Sequence, residues 1–455
     1  MKGKGTLRYV CSECGHTQTK WLGLCPSCGA WNSFVEENIV PEVKGPARKT
    51  APSTMKKPVA LSEVVVSEGF RFDTGISELD RVLGGGVMRG SSVLLGGEPG
   101  IGKSTLMLQV LGQCGAAGRK VLYVSGEESS AQIKLRAERL EVPLQSIDIY
   151  CETRLEELVA VLESVKPEVL VIDSVQTLWT SDIPSAAGSV NQIRACCMEL
   201  IGLAKQSETA IFLIGHVTKE GQLAGPKVIE HLVDTVLYFE QAATGTRLVR
   251  AAKNRFGSVD EIGIFLMEEK GLLAVKDPSG FFLSRREPGQ TPAGIAYTAV
   301  VEGTRSFLVE IQALVVPVKG GFSRIYSDRI DTARVSRVAA VLEKHGGIRI
   351  GDHDIYVNVG GGIKLNEVAI ELPLALALWS ALSSVVLPEK LVSFGELSLA
   401  GEVRPVNFSD KRAKASMDMG FSRLLIPAGS KIEKKASICN SASISQAIKV
   451  CSEMK

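Results

Sequence analysis

The sequence predicts an α/β chain in three parts: a small cysteine-rich module, a core of strands alternating with helices, and a C-terminal α+β domain. Three observations lead there. The run Gly97-Glu98-Pro99-Gly100-Ile101-Gly102-Lys103-Ser104-Thr105 fits G-x-x-x-x-G-K-[ST], between a strand-like run (Ser92 to Leu95) and a helical one (Leu106 to Leu111). Two C-x-x-C-G units precede it. Past about residue 280 the strand–helix alternation gives way to β-rich runs. The expected divisions are 1–35 for the cysteine module, 36–60 for a linker, 61–280 for the core and 281–455 for the last domain.

Bulk composition agrees with several folded domains. A chain of 455 residues exceeds what one hydrophobic core organises. Hydrophobic content of 45% and charged content of 22% are ordinary for a globular protein. A net charge of +2 neither requires nor excludes a polyanionic partner. The start, Met1 to Thr6, lacks the apolar run of a signal peptide. The longest apolar run, Leu372 to Leu387, contains Pro373 and serines and is short for a membrane span, so a buried helix is expected. Ten cysteines without an export signal point to metal binding or thiols rather than disulfides. The expectation is a cytoplasmic protein with no membrane partner.

Cys11-x-x-Cys14 and Cys25-x-x-Cys28 stand ten residues apart, each followed by glycine. Each unit makes a knuckle in which two thiolates converge, and two knuckles complete a tetrahedral sulfur site suited to Zn²⁺. Four protein ligands leave no open position, so the zinc is expected to be structural. Trp21, Trp31 and Phe34 are expected to pack around it, because some thirty residues cannot build a core unaided. His16, with four cysteines available, is expected at the surface. Pro41 to Pro58 has linker composition and carries Lys44, Arg48, Lys49, Lys56 and Lys57.

In the phosphate-loop run, Gly97, Gly100 and Gly102 let the backbone curl so that several N–H groups point at phosphate oxygens. The helix that follows adds its positive N-terminal end. Lys103 would reach the β- and γ-phosphates of ATP, and the Ser104 hydroxyl would ligate Mg²⁺. Further strands are expected at Val121 to Val124, Val169 to Ile172 and Ala210 to Ile214, each ending in polar residues. In an open α/β sheet such carboxyl ends gather ligands. Asp173 fits the carboxylate that holds Mg²⁺ or its waters. Glu127 or Glu128 would polarise the attacking water, and the pair is not resolved by spacing. His216 would sense the γ-phosphate.

From Asp73-Thr-Gly75 through the phosphate loop, with Ser125-Gly-Glu-Glu128 and Val171-Ile-Asp-Ser174, the chain resembles the RecA-like ATPases, including circadian ATPases and hexameric replicative helicases. Lys253-Asn-Arg-Phe-Gly257, joined to a four-cysteine finger, narrows the resemblance to the RadA (Sms) family of bacterial DNA repair and recombination proteins. That resemblance implies a ring, expected as a hexamer, with ATP between subunits. It also implies movement along single-stranded DNA, branch migration of recombination intermediates, and a RecA-type recombinase as a partner. Lys253 and Arg255 would then reach a neighbour's γ-phosphate as fingers. From spacing alone, residues two apart on a strand share one face. Loops Thr180 to Ser189 and Lys219 to Lys227 would line the channel, with Lys219, Lys227 and Arg305 as DNA contacts read without base specificity.

The last domain resembles the proteolytic domain of Lon proteases, most clearly at Leu376 to Leu382 and Phe394 to Val406. Alignment places Ala369 where the nucleophilic serine would stand and Asp410 at the lysine position, so no proteolysis is expected. Arg334 and Arg337, three apart, would share a helix face, and with Arg305, Lys319, Arg324 and Arg329 suggest a polyanion partner. An ATP-dependent protease and a nucleotide-gated assembly switch are the alternatives to a DNA motor.

Overall fold

The computed structural model describes residues 6–11, 16–27, 29–39, 60–63, 69–216, 228–242, 245–275, 282–284, 286–287, 289–318, 322–430, 432 and 437–454. Cys14, Cys28, Lys219, Lys227 and Lys319 lie outside them. The described residues form two compact units: one runs up to Glu240 and resumes at Arg247–Ala274, the other takes Gln241–Thr246 and Val275 onward.

In the first unit, Thr17–Gln18, Thr6–Cys11 and Phe34–Ile39 make a three-stranded sheet in that order. Cys11, Cys25 and Phe34 are buried in one cluster. Gly29, at φ 73°, donates its N–H to the Cys25 carbonyl at 2.9 Å, and the Cys11 N–H donates to the His16 carbonyl at 2.9 Å. These are tight turns around two of the four expected zinc ligands. The tryptophans depart from expectation: Trp21 is 51% and Trp31 74% exposed, leaving Phe34 to close the thiols. His16, expected at the surface, is half-buried, its ring 3.0 Å from the Gln18 amide.

The larger sheet has, among the described residues, nine strands in the order Gly271–Ala274, Ile262–Glu268, Thr246–Asn254, Thr235–Gln241, Ser92–Gly97, Ala210–His216, Val169–Asp173, Val121–Ser125 and Asp148–Tyr150. The strands from Thr235–Gln241 to Asp148–Tyr150 run parallel. Covered on both faces, central parallel strands are apolar throughout, as Val169 to Ile172 are. Alternation sends Val93 and Leu95 to one core and Leu94 to the other. Every central strand therefore ends its apolar run at the same sheet edge, where the first polar residue emerges.

The second unit is α+β. Its seven strands, among the described residues, order as Ile325–Ser327, His353–Val359, Arg305–Pro317, Ile295–Glu302, Leu391–Ser393, Arg423–Pro427 and Ser437–Ser441. The helix Glu371–Ser383 is buried from Glu371 through Ser380, as an all-round apolar helix must be. Among the described residues no helix is long and apolar enough to cross a membrane. Glu310, fully buried, accepts from Arg286 at 2.5 and 2.8 Å and from Gln312 at 2.6 Å. Burial alone would raise its pKa, but Arg286 and Gln312 outweigh it and hold the carboxyl below its usual range. Removing one partner strands a buried charge, so Arg286→Ala should cost about 3–5 kcal/mol. A thermal melt checks this, and an unchanged Tm refutes it.

The basic helix face of this unit lies over a buried acid. Arg334 and Arg337 do share a face of the helix Thr332–Gly346, but both pair with buried Glu371 (Arg334 at 3.7 Å). Arg334 also donates to the Glu367 carbonyl at 2.8 Å.

Candidate active site

The strand Ser92–Gly97 delivers the loop to the carboxyl edge of the sheet, and the helix Lys103–Ala116 leaves from it. Glycine is required at both ends. Gly102 sits at φ 115°, and a Cβ on Gly97 would lie 2.7 Å from the Phe239 carbonyl oxygen of the adjacent strand. Between them run Glu98, Pro99, Gly100 and Ile101, with Ser104 and Thr105 in the first helical turn. Lys103, 4% exposed, donates to the carbonyls of Gly97 at 2.7 Å and Glu98 at 2.9 Å. Burial pulls its pKa down to about 8, although Asp173, Glu127 and Glu98 push the other way.

Four expected residues meet here from separate strand ends. His216 is in register with Gly97 on the neighbouring strand. Its Nδ1 lies 3.4 Å from the Lys103 ammonium and its Nε2 lies 3.0 Å from Glu127 Oε1. The ammonium can only donate, so Nδ1 is the acceptor and Nε2–H donates to Glu127. Ser174, which no spacing marked, also donates to Glu127 Oε1. Burial raises the Glu127 pKa, but the Ser174 and His216 hydrogen bonds and the nearby Lys103 charge outweigh it, leaving it lowered. Glu128 is bonded elsewhere, to Arg136 on the following helix. The two adjacent glutamates thus have different surroundings, which spacing could not reveal.

Asp173 ends its strand 5% exposed and accepts from the Tyr123 hydroxyl at 2.5 Å. Burial and the Asp173 carboxylate push the Tyr123 pKa well above its usual value, with Ser104 acting weakly the other way. The site therefore holds a buried ammonium beside curled backbone, a hydroxyl–carboxylate pair able to take a divalent cation, and a carboxylate able to orient water. That donor set fits a magnesium triphosphate.

Lys253 and Arg255 stand elsewhere. Lys253 is the penultimate residue of the strand Thr246–Asn254 and donates to the carbonyls of Glu230 at 2.9 Å, His231 at 3.4 Å and Val233 at 2.6 Å. Arg255 lies just past the strand, so the two do not share a strand face; its guanidinium, 55% exposed, is 3.3 Å from Asp234. Asp234, 3% exposed, accepts from the Ser92 N–H at 3.1 Å and hydroxyl at 2.8 Å. The pair is therefore anchored at the amino end of the strand whose carboxyl end carries the phosphate loop. Five residue steps at about 3.3 Å separate these ends by roughly 16 Å. The turn after Asn254 is built for close approach: a Cβ on Gly257 would lie 2.7 Å from Gly84 Cα, and Arg71 donates to the Phe256 carbonyl at 2.9 Å.

The loop Thr180 to Ser189 is stapled by buried Gln192, whose amide donates to the carbonyls of Thr180, Ile183 and Ser185 at 2.8 to 3.0 Å. Lys219 and Lys227 are outside the described residues. Arg305 starts a strand of the second unit and donates to the Val275 carbonyl at 3.4 Å. Ala369 is a buried methyl in an apolar cluster, and Asp410 is exposed in the first turn of Ser409–Asp418. The buried cation nearby is Arg412, paired with Glu367.

Three family models match segments of the chain: the rubredoxin metal binding domain over residues 9–36, the ATPase model described as KaiC over 72–152, and subunit ChlI of Mg-chelatase over 328–430. Proteins named DNA repair protein RadA match nearly end to end. That of Treponema pallidum (strain Nichols) is 48% identical over 94% of this chain and 93% of its own. That of Bacillus subtilis (strain 168) is 46% identical over 92% of each. That of Listeria monocytogenes is 44% identical over 98% of each. Zinc-ribbon module, RecA-like ATPase core and ChlI-like C-terminal domain occur here in one chain at that level of identity, and the chain belongs to the RadA family of DNA repair proteins.

Proposed function

We propose that the chain is a DNA-dependent ATPase working as a hexameric ring that translocates on single-stranded DNA and promotes branch migration of recombination intermediates. The observation supporting this is the separation of two half-sites. Lys103, Glu127, Asp173 and His216 gather at the carboxyl edge of the sheet, while Lys253 and Arg255 are held at its amino edge. A cationic pair roughly 16 Å from the phosphate loop of its own subunit cannot serve that phosphate, but a head-to-tail ring would bring it to a neighbour's.

Within one site, Lys103 and the loop N–H groups orient the triphosphate, and Ser104 with Asp173 holds the cation. Magnesium, when bound there, would supply charge neutralisation to the triphosphate. Glu127 polarises the attacking water, and His216 links that carboxylate to Lys103. Glu128 serves through its pair with Arg136. We therefore expect Glu127→Gln to lower ATP turnover by about 10²-fold or more, and Glu128→Gln to lower it far less. Equal losses in a phosphate-release assay would remove this division.

Zinc is assigned to Cys11, Cys14, Cys25 and Cys28. The buried, adjacent thiols of Cys11 and Cys25 fit it. Metal analysis should find about one ion per chain, and none after chelator-free purification refutes the site. The proposed DNA contacts are Lys219, Lys227 and Arg305, with a RecA-type recombinase as protein partner.

Stimulation of hydrolysis by single-stranded DNA at low salt tests the motor. A rate indifferent to DNA refutes it, and hydrolysis without branch migration would leave the assembly switch. Position 369 offers no hydroxyl, so casein incubated with the protein and ATP should remain uncleaved.

A further inference from the structure

We infer that Tyr123 is a positioning residue for the cation-holding carboxylate, fixing Asp173 by a hydrogen bond from the neighbouring strand. The inference rests on the nucleotide-site reading above and assigns a task to a residue outside every motif.

Tyr123 lies in the middle of the strand Val121–Ser125 and is fully buried. Its ring belongs to the apolar cluster that also holds Leu106, Val171 and Phe212. A phenylalanine would satisfy that packing equally, and a buried hydroxyl costs free energy unless it is bonded. This hydroxyl is bonded to Asp173. An ionised carboxylate only accepts, so the phenol proton goes to Asp173 Oδ2 at 2.5 Å.

Asp173 ends a strand, and nothing local sets the orientation of its carboxylate. Tyr123, on the paired strand, supplies a rigid donor that selects one orientation. Partners of this kind around metal ligands are worth about 10- to 100-fold in metal affinity.

The test is binding of a fluorescent N-methylanthraniloyl-ADP to the full-length protein, titrated with MgCl₂ or measured in EDTA. Tyr123→Phe should leave affinity in EDTA unchanged and raise the magnesium midpoint about ten-fold. In an Asp173→Asn background the same change should add little, because the hydroxyl acts through that carboxylate. An unaltered midpoint overturns the inference. So does loss of EDTA binding together with the magnesium effect, which would make Tyr123 a packing residue only. If the unaltered protein binds the analogue without any magnesium dependence, the nucleotide-site reading itself fails.

Discussion

Lys103→Ala is expected to abolish ATP hydrolysis, with turnover reduced by about 10³-fold or more. The side chain is 4% exposed, and its ammonium is satisfied by two loop carbonyls at 2.7 and 2.9 Å. It is thus a cation already paid for in desolvation and aimed at the loop interior. Its pKa of about 8, depressed chiefly by burial, yields a second expectation. Phosphate oxygens beside the ammonium would raise that pKa, so the complex would hold more protons than the free protein. ATP affinity should then fall as pH rises through about 8, with a proton taken up on binding in that window. The sign for folding is separate. A lysine depressed in the folded state makes stability rise with pH between about 8 and 10.5. Calorimetric titrations in buffers of different ionisation heat read the uptake. Affinity flat from pH 7 to about 9.5 would disprove the coupling.

Arg255→Ala should retain ATP binding while hydrolysis falls by about 10³-fold. The guanidinium is half exposed, and its partner in its own subunit is Asp234 at the sheet edge remote from the phosphate loop. Mixing Arg255→Ala with Lys103→Ala subunits should recover part of the activity, since some seams would pair an intact loop with an intact finger. Light scattering must show that mixed rings form. Mixed rings without recovery would disprove the intersubunit geometry. Lys253→Ala is a less clean probe: its ammonium also binds the carbonyls of Glu230, His231 and Val233, so its loss disturbs the chain that leads into the sheet.

Much of the core was legible before any coordinates, because its signals are local. A glycine at positive φ, a lysine opening a helix and an apolar run ending in aspartate each need only their immediate neighbours. The pairing of Arg334 and Arg337 with Glu371 was not legible, since a basic helix stripe looks the same over solvent and over a buried acid. Nor was the exposure of Trp31: aromatic content near cysteines says that something closes the thiols, and geometry chose Phe34.

The amino-acid sequence by itself determined the parallel-sheet core, the phosphate loop between strand and helix, and the set of polar residues at strand ends. Those follow from backbone geometry and periodicity over a few residues. Tertiary structure alone decided that Glu127 rather than Glu128 joins His216, that Tyr123 bonds Asp173, and that Asp234 holds Arg255 at the opposite sheet edge. The physical reason is range. Hydrogen bonds to carboxylates act over about 3 Å, and only folding brings partners from distant parts of the chain that close.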